Sequence, residues 1–168
     1  MSLEDKLKAL RDEENGKRKK AEESEERLKQ EQSERNKRFE EKKDLLLKIT
    51  AERFEPLLNT VSRVYYEGKA DICTSSEMNE WEPEVVTSLN PPEFVKAAWV
   101  KIKLTTAVGG RLMVIVDGPG PRRTFAYDDH EQGRVFLDDP NSMQIIEQTI
   151  LSIFKYGSEN PHIFSWIP

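Results

Sequence analysis

The sequence predicts an α+β protein with a long charged amino-terminal helix, coiled-coil-like in pattern. A small domain with an antiparallel four-stranded meander and a C-terminal helix follows. Three observations predict this. Residues 3–55 contain no proline and one glycine, Gly16, in a run rich in Glu, Lys, Arg, Gln, Leu and Ala, the best helix formers. Residues 98–137 alternate apolar runs with glycine-, proline- and aspartate-rich breaks, the spacing of hairpins. Residues 143–156 carry Ile145, Ile146, Thr149, Ile150, Ile153 and Phe154 at helical spacing. Residues 1–55 are therefore assigned to the arm and 56–168 to the domain.

The arm opens on Ser2 and Asp5, placed as an N-cap and its reciprocal partner. Eight acid-to-base pairs stand at i, i+4 along it: Glu4–Lys8, Glu13–Lys17, Glu14–Arg18, Glu23–Arg27, Glu25–Lys29, Glu31–Arg35, Glu34–Arg38 and Asp44–Lys48. Leu3, Leu10, Ala21, Leu28, Phe39, Leu46, Leu57 and Val64 follow alternating spacings of 7 and 11. One spacing of each kind makes five turns at about 3.6 residues per turn, so these residues share one line. Leu3, Leu10, Leu28, Phe39, Leu46 and Leu57 are the candidate interface. Strict heptads through Leu7 and Leu10 put Glu14, Lys17, Ser24 and Glu31 in the seam, a poor coiled-coil core. Residues 11–38 thus read as a partner-completed coiled coil, an ion-paired isolated helix, or a disordered polar arm. At about 1.5 Å per residue, a fully helical 3–55 would extend roughly 80 Å. From Phe39 to Tyr66 the apolar residues are dense enough to cover a core. Pro56 is expected to kink or restart the helix, and Gly68 to stop it.

In the domain, residues 69–93 give a weak pattern, with short strands at 70–74 and 85–89 as candidates. Ala98–Ala107 is the clearest strand, since Val100, Ile102 and Leu104 alternate with Lys101 and Lys103. Val108–Arg111 is a tight turn. Leu112–Val116 is a continuous apolar run, expected of a central strand covered on both faces. Residues 122–127 and 134–137 complete the meander. Residues 138–142 are expected to cap the last helix and Gly157 to end it.

The net charge is −5. Residues 1–55 hold 16 basic and 16 acidic side chains, leaving 10 and 15 for the domain. A neutral arm and an acidic domain argue against nucleic acid as a partner, which needs a basic face. The apolar runs are too short for a membrane span, so a cytoplasmic protein is expected. Cys73 is the only cysteine, which excludes an internal disulfide and a cysteine metal cluster. Its expected role is a small buried thiol, because a nucleophile needs a depressed pKa.

No motif calls for a cofactor, a metal or a catalytic group. Asp128, Asp129, His130 and Glu131 with Asp138 and Asp139 match no calcium-loop spacing. The turn at 117–123 lacks the Gly-Lys-Ser/Thr of a P-loop. The function expected is non-enzymatic assembly, with the long helix joining a second copy, a dimer first, or a partner helix. The alternative is a small ligand-binding or catalytic domain with an oligomerising arm. Arg122, Arg123, Asp128 and His130 would then rim the pocket.

Overall fold

The structure, a computed structural model, describes residues 2–78, 82–92, 98–107, 109–119 and 134–160. The fold is α+β. Helix α1 spans Leu3–Ile49, a π-helical turn covers Thr50–Phe54, and α2 spans Glu55–Tyr65. Five antiparallel strands follow: β1 (Asp71–Met78), β2 (Pro83–Asn90), β3 (Val100–Thr106), β4 (Leu112–Asp117) and β5 (Arg134–Phe136). Helix α3 spans Ser142–Glu159. Contacts divide the chain into two units, residues 1–41 and 42–168.

The first unit is helix α1 up to Glu41. Its cap forms as expected: the Asp5 carboxylate accepts from the Ser2 amide at 2.9 Å and the Ser2 hydroxyl at 2.8 Å. Ser2 hydrogen bonding holds the Asp5 carboxyl below its ordinary range. Of the eight expected pairs, Glu4–Lys8, Glu13–Lys17, Glu25–Lys29 and Glu34–Arg38 form, whereas Arg27 reaches forward to Glu31 and Lys48 to Glu52. No residue from Leu3 to Glu41 is buried.

In the second unit the helical chain keeps one side against the core. Leu46, Thr50, Phe54, Leu58, Ser62 and Tyr66 are all buried, at every fourth position. Pro56 lies in the first turn of α2, where its missing amide leaves no gap. The wider π turn stands just before it. There the proline ring would otherwise press on a carbonyl four residues back. Gly68 stops α2 as expected, with φ of +78° and its amide donating to Ser62 O at 2.9 Å.

The sheet order is β1-β2-β3-β4-β5, a plain meander. Among the described residues there are five strands where four were expected. Two of the five, β1 and β2, run eight residues each and pair over their whole length, longer than the 70–74 and 85–89 pieces suggested. The strand expected at 122–127 lies outside the described residues. Register puts Val85, Leu104, Val114 and Val135 in one row across the sheet. This inner face packs with Ile146, Ile150, Ile153 and Phe154 of α3 and with Leu46, Phe54 and Leu58. Met113 and Ile115 on the outer face are only half-buried, so β4 is enclosed on one side rather than both.

At the end of α3 the outcome differs from expectation. Gly157 lies inside the helix, and Asn160 caps it: its backbone amide and its side-chain amide both donate to Tyr156 O. At the other end Asn141 makes no side-chain cap. Asp138 and Asp139, expected to cap, turn instead to Arg111.

Candidate functional site

The β3–β4 hairpin turns through Gly109 and Gly110, with φ of +87° and +79°, a region that glycine enters without strain. The turn closes through Gly110 N–H to Ala107 O at 3.0 Å and Ala107 N–H to Arg111 O at 2.8 Å. It delivers Arg111 to the loop between β5 and α3. There Arg111 Nε lies 2.9 Å from Asp138 Oδ2, and Nη2 lies 2.8 Å from Asp138 Oδ1 and 2.9 Å from Asp139 Oδ1. The guanidinium carbon stands 4.0 Å from the centre of the Phe136 ring. This is a planar fork holding two carboxylates while stacked on an aromatic face, an arrangement that suits arginine and not lysine. The Arg111 guanidinium holds the Asp138 carboxyl below its ordinary range.

Beside this clamp is a cleft of about 440 Å³. Ile49, Leu112 and Leu137 give it apolar walls, and Gly109 and Gly110 form part of its rim. Arg53, from the π turn, lines it together with Arg111 and Asp138. Arg111 faces two aspartates, so that cluster carries one net negative charge. Arg53 has no carboxylate within ion-pair distance among the described residues. The cleft therefore sets Arg53, a cation without an ion-pair partner among the described residues, beside an apolar wall, while the second aspartate balances its charge in the group as a whole.

Of the pocket-rim residues expected from sequence, Arg122, Arg123, Asp128 and His130 lie outside the described residues. The interface candidates separate into two groups. Leu3, Leu10 and Leu28 are exposed, and Phe39 is half-buried. Leu46 is enclosed in the core of the second unit, and Leu57 packs against that core. Cys73 is exposed, not buried, because β1 is an edge strand and Cys73 stands on its outer face. Its thiol donates to Asp71 at 3.1 Å, and that carboxylate raises the thiol pKa, the reverse of what a nucleophile needs. Burial raises the Tyr66 phenol above its ordinary range, and its hydroxyl donates to Ala98 O. Among the described residues no group of His, Cys, Asp and Glu could hold a metal ion. Nor is any described helix long and apolar enough to cross a membrane.

Comparison with known families, curated proteins and solved structures returns no match to this chain.

Arg53 and Arg111 escaped the sequence reading because they are distant in the chain. Arg53 looked like any charged residue of the arm. The Gly109-Gly110 pair before Arg111 was the one local signal, since it fixes where that side chain emerges.

Proposed function

We propose that this chain is a non-enzymatic assembly protein whose residues 1–41 associate with a second copy through paired helices. The observation that carries this reading is the exposure of leucine along that unit. Leu3, Leu7, Leu10 and Leu28 are 75%, 58%, 57% and 57% exposed. Leu3, Leu7 and Leu10 share one helix face at i, i+4 and i+7. Helices in proteins are held mainly by packing of such a face. Exposed ion pairs contribute little each, and here their side chains are at least 60% exposed. A helical partner supplies the missing packing. The polar seam positions between Leu10 and Leu28 keep the association modest, because a coiled coil gains from apolar residues at every a and d.

The test is light scattering coupled to size exclusion on the full chain and on a variant with Leu3, Leu7, Leu10 and Leu28 all replaced by Gln. The expected outcome is a dimer that becomes a monomer with reduced helical circular dichroism. An unchanged mass and helicity would reject the association element. Leu46 does not belong in this test, since its side chain is part of the core.

A second reading is favoured by Arg53. It makes the second unit a binder of small anions in the cleft, with Arg53 as the charge contact and Ile49, Leu112 and Leu137 as the apolar wall. A thermal-shift series with aromatic and aliphatic carboxylates addresses it. A shift that disappears in Arg53→Ala supports it, since a ligand stabilises the state it binds. No shift with any of them rejects it.

A further inference from the structure

We propose that the free edge of β1 is a docking site for an extended basic peptide, which joins the sheet as an added strand. Strand β1 stands at the end of the sheet, and among the described residues no strand lies beyond it. Sheet edges are normally protected by shortness, by proline or lysine, by a bulge, or by a covering element. Among the described residues this edge has none of these, and its only charged side chains are two acids, Asp71 and Glu77. It runs eight residues with an unbroken register from Asp71–Asn90 to Met78–Pro83. Its sequence, Asp-Ile-Cys-Thr-Ser-Ser-Glu-Met, contains neither proline nor lysine. Cys73, Thr74, Ser75 and Ser76 are all exposed, and their small side chains leave the main chain open to a partner. The strand at the other end of the sheet, β5, covers three described residues.

Charge selects the occupant. Asp71 and Glu77 stand on the outer face of the edge, six residues apart, about 20 Å at strand rise. Glu77 is directly opposite Glu84 in the sheet, and like charges so placed are unfavourable. Lys103 stands 2.7 Å from Glu84, and Glu77 has no cation within ion-pair distance among the described residues. Among the described residues Asp71 has only the Cys73 thiol. A second copy paired antiparallel over residues 71–77 would set Asp71 against Glu77 and Glu77 against Asp71. The fitting partner is therefore an extended segment with lysine or arginine at i and i+6 and small or β-branched residues between. Main-chain bonds supply the affinity and the two cations the choice of sequence.

The experiment uses the full chain and two labelled nine-residue peptides of alternating threonine and valine. One carries lysine at its second and eighth positions, the other glutamate there. Fluorescence anisotropy reads binding, and amide hydrogen exchange reads protection over residues 71–78. The expected result is at least about tenfold tighter binding of the lysine peptide, a ratio that falls as salt screens the contacts. Protection of alternate β1 amides should accompany it. Asp71→Lys/Glu77→Lys, with both changes at exposed positions, should reverse the preference. Absence of protection with either peptide overturns the proposal, as does binding indifferent to the end charges. Concentration-dependent protection without peptide also overturns it, naming a second copy as the occupant. None of these outcomes depends on whether residues 1–41 associate.

Discussion

The amide of Glu55 donates to the carbonyl of Thr50, one residue further back than an α-helical turn would place its acceptor. That wide turn lets a spacing of four serve as a buried stripe. At about 100° per residue, each step of four overshoots a full turn by about 40°. Five such steps, from Leu46 to Tyr66, would carry Tyr66 to the far side of a regular helix. One extra residue in the π turn takes back about 100° of that drift. Leu46, Phe54, Leu58 and Tyr66 therefore reach the same core.

The same turn leaves a cost at Thr50. Its side chain is 1% exposed, and among the described residues its hydroxyl finds no partner. Two other helical threonines bond back four residues, Thr60 to Pro56 O at 2.9 Å and Thr149 to Ile145 O at 2.7 Å. A buried donor without a partner is unfavourable, so Thr50→Val should stabilise the second unit by about 1 kcal/mol. Urea unfolding of both proteins, with an unchanged slope and a raised midpoint, would confirm it. A lowered midpoint would mean that the hydroxyl is satisfied in solution.

The sequence made the long helix, the β3–β4 hairpin and α3 legible because each has its own local pattern. Val100, Ile102 and Leu104 alternate, Gly109-Gly110 turns, and Ile146, Ile150 and Ile153 return at helical spacing. Strands β1 and β2 were harder. Thr74 and Ser76 stand at inner-face register positions of an edge strand yet remain exposed, so no apolar alternation marks it; pairing with β2 makes it a strand. The line drawn from Leu3 to Val64 assumed an unbroken period of 3.6. The π turn breaks that period, and Val64 accordingly ends 75% exposed. The Arg53–Arg111 cleft joins distant segments and had no local signature.

Arg111 should tie stability to acid through Asp138. The folded-state pKa of Asp138 is depressed by Arg111. Its contribution is therefore present above the ordinary aspartate value of about 3.9 and is lost as pH falls through the folded value. Arg111→Gln should lower the melting temperature at neutral pH, and the gap from wild type should narrow as pH falls below the ordinary aspartate value of about 3.9. Arg111→Lys should recover only part of the loss, because an ammonium cannot hold both aspartates while lying on Phe136. Melting curves from neutral pH down through that value decide it. A gap that does not vary with pH would mean that the Phe136 stacking, not the ion pair, carries the effect.

Gly118 is the position where one methyl group should do most damage. It follows β4, and a Cβ there would lie 2.6 Å from Ile153 Cδ1 and 2.8 Å from Ile153 Cγ2. Ile153 is fully buried in α3, so it has little room to yield. Gly118→Ala should therefore destabilise by about 1–3 kcal/mol, the usual range for overpacking. Ile153→Ala alone should cost about 2–5 kcal/mol through the cavity it leaves. In the double variant the new methyl group enters space that Ile153 vacated, so the two losses should sum to more than the double loses. Chemical denaturation of the four proteins measures this coupling. Strict additivity would show that the Gly118 effect comes from its backbone rather than from the approach of α3.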